Sequence, residues 1–113
     1  MIKASFTDNR ELFEISVKVK GHAGQAEMGK DIVCASASIL FSTLAQIITS
    51  LEGRLEDEPV IKYESGDALI SCRCKNMQTF VKVLNAYHFT KVGYTLLAQN
   101  YPQYVELITD GEA

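Results

Sequence analysis

Residues 12–20 read Leu12-Phe13-Glu14-Ile15-Ser16-Val17-Lys18-Val19-Lys20. Apolar and polar side chains alternate here, with Phe13, Ile15, Val17 and Val19 on one side and Glu14, Ser16, Lys18 and Lys20 on the other. A period of two rich in β-branched residues predicts a strand with one buried face, because successive side chains of an extended chain point to opposite sides. Residues 1–7 repeat the pattern, Ile2, Ala4 and Phe6 against Lys3, Ser5 and Thr7. Asp8-Asn9-Arg10 between the runs is turn chemistry, so together they predict an antiparallel hairpin.

The pattern then changes. Residues 21–30 hold Gly21, Gly24 and Gly29 among small and polar residues and read as a mobile loop. From Asp31 onward Ile32, Ser36, Leu40, Leu44 and Ile47/Ile48 recur at spacings of three and four. That predicts a helix from about Asp31 to Glu52, with Asp31 as its N-cap and Gly53 as its stop. Glu56-Asp57-Glu58-Pro59 reads as a solvated acidic connection. Residues 60–64 and 68–75 form a second predicted hairpin around Ser65-Gly66-Asp67. Asn76 is placed to cap a second helix with Met77, Phe80, Val81, Leu84 and Tyr87 on its inner face, running through Gly93 to about Gln99. Tyr101-Pro102 ends it, and Tyr104 to Ile108 makes a last strand. The order ββαββαβ predicts an α+β fold, a mostly antiparallel five-stranded sheet with two helices on one face, as a single domain over residues 1–113.

Composition narrows the function. With 113 residues, 47% of them hydrophobic, the chain suffices for one core. Eleven basic residues against fourteen acidic ones give a net charge of −3, which argues against a nucleic-acid footprint, since phosphate binding needs clustered Lys and Arg. The sequence reads as having no apolar run of the roughly 18–20 residues that span a bilayer, and its start lacks the pattern of a secretion signal. Three cysteines, an odd number, do not make a disulfide framework and point to a reducing cytoplasm.

Three groups of residues can carry chemistry. His22 follows the second strand and Cys34 falls in the first turn of the first helix, at N3 if Asp31 is the cap. Unpaired N–H groups at a helix start favour a thiolate, and a histidine in reach can take its proton. The ordinary reading is a small buried cysteine and a loop histidine with a structural hydrogen bond. Cys72-Arg73-Cys74 places two thiols on one strand face with Ala68 and Ile70, which reads as core packing; neither the spacing of a redox pair nor a second zinc-ligand pair is visible, and His88 is a lone candidate. Asp31 and Ser38 share a helix stripe with Cys34 at i−3 and i+4. Asp31 either caps the helix or orients His22 as a triad carboxylate, and Ser38 either bonds a carbonyl of its own helix or faces the substrate. No metal or other cofactor is expected.

Gly21-His22-Ala23, followed by Gly29-Lys30-Asp31-Ile32-Val33-Cys34-Ala35 and Ser38, resembles the signature of the ribosomal-processing cysteine protease family, Prp. The motif occupies residues 21–38, and the chain matches the family's length and element order. The resemblance implies a small cytoplasmic homodimer that removes a short apolar N-terminal extension from ribosomal protein L twenty-seven of the bacterial large subunit, cutting after aromatic residues. It places the catalytic histidine and cysteine at His22 and Cys34, and at Gly21 the glycine that lets the loop move. The expected partner is thus a peptide, with neither nucleic acid nor membrane. Phe41, Tyr87 and Phe89 are candidate pocket residues by size. Two other readings stand beside this one: a non-enzymatic ribosome-associated adaptor that holds a protein tail, and a thiol redox or persulfide-handling protein using Cys34 alone.

Overall fold

Alternation in the first two strands is satisfied by burial. In the computed structural model, which describes residues 1–22 and 28–109, β1 (Ile2–Asn9) and β2 (Glu14–Lys20) pair antiparallel with Phe6 opposite Val17. Ile2, Ala4, Phe6, Ile15 and Val17 are all buried on one face of that hairpin. The turn is longer than the sequence pattern predicts. The Asn9 carboxamide oxygen accepts hydrogen bonds from the N–H groups of Glu11 and Leu12, at 3.1 and 3.2 Å. Phe13 closes the turn in the left-handed region, with φ of 55°, and its ring packs on Phe80. Leu12 and Phe13 therefore belong to the turn, and β2 starts at Glu14.

α1 (Met28–Ser50) follows, then a single 3-10 turn at Glu52–Arg54, the hairpin β3 (Val60–Glu64) and β4 (Asp67–Arg73), α2 (Met77–Asn100) and β5 (Val105–Thr109). The strand order is β3-β4-β2-β1-β5. Every pairing is antiparallel except β1 with β5, which run parallel because α2 carries the chain back across the sheet. Residues from the two central hairpins continue one buried face: Val17 lies opposite Ile70 and Ile15 opposite Cys72. Both helices cover that face, so the fold is the two-layer α+β arrangement expected.

Helix details depart from the sequence reading. α1 starts at Met28, three residues before Asp31, and ends at Ser50, two before Glu52. Asp31 is its fourth residue and does not cap it, and Gly53 sits within the 3-10 turn. Of the segment read as a mobile loop, residues 28–30 are helical and residues 23–27 lie outside the described residues. The inner face of α1 is Val33, Ala37, Phe41, Leu44 and Ile48, leaving Ile32, Ile39 and Ile47 outward. The 19-residue stretch Ile32–Ser50 carries no charge, reaches a mean hydropathy of 1.8, and is long and apolar enough to cross a membrane by length and composition. This corrects the reading that no such run exists; here its inner stripe is seated in the core of the α+β layer.

In α2, Asn76 caps as predicted, its side chain accepting from the Thr79 N–H at 2.9 Å. The inner face runs through Phe80, Val83, Tyr87, Thr90, Tyr94 and Leu97, while Met77 and Val81 are exposed. Gly93 is kept by a close approach: a Cβ there would lie 2.5 Å from Cδ2 of Leu40 on α1. The contact lets the two helices pack tightly and offsets glycine's weak helix propensity. Cys72 and Cys74 are buried in the core, as their shared strand face predicts.

Candidate active site

His22 and Cys34 open onto one cavity of about 290 Å³. Its floor comes from Ile2 and Val19 at the ends of the first hairpin, its roof from Cys34, Ala37, Ser38 and Phe41 on α1, and its outer rim from Tyr63 through Ala68. Residues twelve positions apart in sequence meet here because β2 ends, and α1 passes, at the same corner of the sheet. No hydrogen bond joins the imidazole to the thiol among the described residues.

Two glycines set His22 in place. Gly21 has φ of +92°, and a Cβ on it would lie within 2.2 Å of the Met1 carbonyl oxygen. The main chain can pass that point only without a side chain. The Gly21 N–H also donates to the Gly66 carbonyl at 2.9 Å, tying the strand end to the β3–β4 turn. Gly66 has φ of +74°, and a Cβ on it would lie 2.5 Å from Nε2 and 3.0 Å from Cε1 of His22. The imidazole thus rests on the open face of Gly66.

Cys34 is half-buried and is the seventh residue of α1, in its second turn. The free N–H groups of the helix start belong to residues 28–31, and the peptide N–H of Cys34 lies inside the helical ladder. Activation by the helix end, expected for a cysteine at N3, is therefore not offered by this geometry. Nor are main-chain N–H groups beside Cys34 free to serve as oxyanion donors. Ser38, one turn on, lines the cavity, and its hydroxyl makes no hydrogen bond to the described residues. Its neighbours Ser36 and Thr43 do bond back to the carbonyl four residues earlier, at 2.8 and 2.7 Å. Ser38 thus lines the cavity without a side-chain bond to its own helix. Asp31 shares its helical register with Cys34, and its side chain lies outside what the structure describes.

The aromatic wall differs from the expectation. Phe41 lines the cavity, with its ring 5.4 Å from that of Tyr63. Tyr87 is in the core against Phe6, and Phe89 is on the outer helical face, where it lines a different, apolar groove with Leu40, Ile47 and Lys82. Tyr63 and Tyr94 were not singled out from the sequence. The Tyr94 hydroxyl, pushed up in pKa by burial, donates to the Ala37 carbonyl at 2.6 Å and pins α1 beside Cys34. At the rim, Asp67 holds Lys62 at 2.7 Å and Lys20 at 3.1 Å. Hydrogen bonds from Lys62 and then Lys20 keep the Asp67 carboxyl below its usual range, and the same contact raises Lys62. The other two thiols sit apart from the cavity. Burial, with Cys74 alongside, pushes the Cys72 thiol up to about 12, and burial raises Cys74 as well.

A half-buried thiol, an imidazole on a glycine seat and an apolar wall form a site suited to nucleophilic attack on a peptide carbonyl. Solved structures share the fold. Prp of S. aureus, an essential ribosomal processing protease solved with a covalently linked product peptide, superposes with a TM-score of 0.72 at 26% identity, covering 97% of this chain and all of that one. SMU.848 of Streptococcus mutans superposes with a TM-score of 0.69 at 28% identity, covering 96% and 93%. No curated protein sequence matches. The family model described as cysteine protease Prp matches residues 1–106, so the chain belongs to the Prp family of cysteine proteases.

Proposed function

We propose that this protease removes the short apolar N-terminal extension of ribosomal protein L twenty-seven of the bacterial large subunit, cutting after aromatic residues with Cys34 as nucleophile and His22 as general base. The observation that carries this reading is the shared cavity: the thiol and the imidazole line one space, walled by Phe41 and Tyr63. An apolar peptide end suits that wall. In the proposed reaction His22 takes the Cys34 proton and the thiolate attacks the scissile carbonyl. His22 returns the proton to the leaving amine, and water then releases the acyl group from sulfur, regenerating the thiol. The Ser38 hydroxyl is the proposed side-chain donor to the oxyanion. Asp31, freed of a capping role, is proposed to orient His22. Among the described residues no hydrogen bond joins the His22 imidazole to the Cys34 thiol, which fits a dyad brought together when the peptide binds.

The proposal extends to a single protease domain over residues 1–113 acting in the cytoplasm as a homodimer. Exposed Ile39, Phe89, Val92 and Leu96 on the outer helical face support the dimer, since a second copy would cover them.

The test is a cleavage assay. A peptide spanning the extension and the mature N-terminus is incubated with wild type, Cys34→Ser and His22→Ala, and the products are weighed by mass spectrometry. One cut after the aromatic residues, by wild type alone, is the expected result. A folded Cys34→Ser that cleaves at the wild-type rate removes the assignment. Binding without any cleavage in the wild type turns the reading toward an adaptor.

A further inference from the structure

β3 is an edge strand whose outer side pairs with nothing among the described residues. All five of its residues are exposed, including Val60, Ile61 and Tyr63. Natural sheets guard such edges with proline, bulges or charges, because a row of unpaired N–H and C=O groups templates further strands. Here the strand holds two charges, Lys62 and Glu64, but no proline and no bulge. Pro59 lies before it, the register with β4 runs unbroken, and Lys62 is turned back onto Asp67.

The register says which groups are free. Glu64 and Asp67 flank a two-residue turn, so they exchange the hydrogen bonds of a close antiparallel pair, and Lys62 with Leu69 repeats it. Ile61 and Tyr63 fall on the alternate positions, and their N–H and C=O groups point to the free edge. The Gly21 N–H bond to the Gly66 carbonyl on the far side of β4 keeps the same alternation. At its C-terminal end β3 runs into the site: Tyr63, Glu64 and Ser65 line the cavity of His22 and Cys34. That cavity is small for a peptide, since ligand clefts span roughly 300–1,000 Å³. It has room for side chains beside the cut, and the rest of the substrate must lie outside it.

We propose that the substrate binds as an added strand on β3, its main chain paired to Ile61 and Tyr63, with the scissile bond delivered to Cys34 at the Tyr63–Glu64 end. This rests on the peptidase reading above and names how that site holds an extended peptide. Recognition of this kind acts on the backbone, and alternate substrate side chains lie beside the Tyr63–Phe41 pair.

The test is a backbone scan of the cleaved peptide, replacing one amide at a time by an ester on both sides of the scissile bond. Each ester removes an N–H and keeps the side chain. Pairing to β3 predicts that kcat/KM falls about three- to tenfold at every second position on one side of the cut and less than twofold between, as single hydrogen bonds do. A flat scan, or losses without a two-residue period, overturns the proposal while leaving the protease reading intact. Failure of the wild type to cut the all-amide peptide takes down both. As a second measurement, Ile61→Pro removes an edge-facing N–H that β4 does not use. Its peptide kcat/KM is expected to fall about tenfold with circular dichroism unchanged, and full activity in the folded variant counts against the pairing.

Discussion

Gly66→Ala tests whether the seat of His22 matters more to chemistry than to folding. The added Cβ would sit 2.5 Å from Nε2, whereas carbon contacts settle near 3.5 Å, so the imidazole must move by roughly 1 Å. The ring is exposed and can yield more easily than the backbone. The φ of +74° adds about 1–2 kcal/mol for an L-residue in the left-handed region. For a domain near 100 residues that predicts a Tm lower by roughly 5–15 °C. A displacement of about 1 Å in a reacting group is worth on the order of 100-fold in rate. Gly66→Asn separates the effects, because Asn tolerates the left-handed region but still carries the Cβ. Peptide cleavage is followed by mass spectrometry, with Tm from circular dichroism. The expected pattern is Gly66→Ala and Gly66→Asn both about 100-fold slower, with Gly66→Asn the closer to wild type in Tm. Wild-type kcat/KM in a folded Gly66→Asn would refute the seat.

Cys72→Ala and Cys74→Ala are expected to lower stability by about 1 kcal/mol or more while leaving kcat/KM within a few-fold, as small core deletions do; denaturant melts and the cleavage assay check both. Iodoacetamide at neutral pH should add one label to the folded protein, at Cys34, read by peptide mass mapping. Because burial raises the folded pKa of Cys72 above its ordinary 9.0, its neutral thiol stabilises fully below pH 9, and that contribution declines as pH climbs from 9 toward about 12. The fall in Tm over that range should be shallower in Cys72→Ala, and an identical slope would contradict the burial argument. Tyr94→Phe should cost about 1 kcal/mol by denaturant melt through loss of the bond to Ala37.

The strands were legible because period two has one interpretation when one face is buried. Ile2, Ala4 and Phe6 went where alternation sends them, and so did Ala68, Ile70 and Cys72. The faces of α1 were not legible for the opposite reason. Ile32, Val33, Ile39, Leu40, Ile47 and Ile48 make the helix apolar around its circumference, so its spacing does not select the inner stripe. Phe13 misled because the turn was decided by the Asn9 carboxamide bonding to Glu11 and Leu12. At the site, the motif singled out Gly21, His22, Cys34 and Ser38, all of which line the cavity. Gly66, Tyr63 and Tyr94 arrive from other hairpins and helices, and no local spacing joins them to His22. The φ of Gly66 carries a faint signal, since Ser65-Gly66-Asp67 marks a turn that needs a glycine.

The uncharged stretch of α1 sets a schedule for synthesis. When Ser50 leaves the ribosome, β1 and β2 already exist and can seat Phe41, Leu44 and Ile48. The helix that packs beside it, α2, ends at Asn100, fifty residues later. At about 5–20 residues per second, that leaves α1 without this neighbour for roughly 3–10 s. During that interval the nascent chain displays a segment that by composition passes for a membrane span, beside a hairpin whose β2 edge awaits β4. Slower elongation lengthens the exposure, so yield of folded protease should track how quickly β3, β4 and α2 follow, and a lag in the second half of the message should divert product to membranes or aggregates.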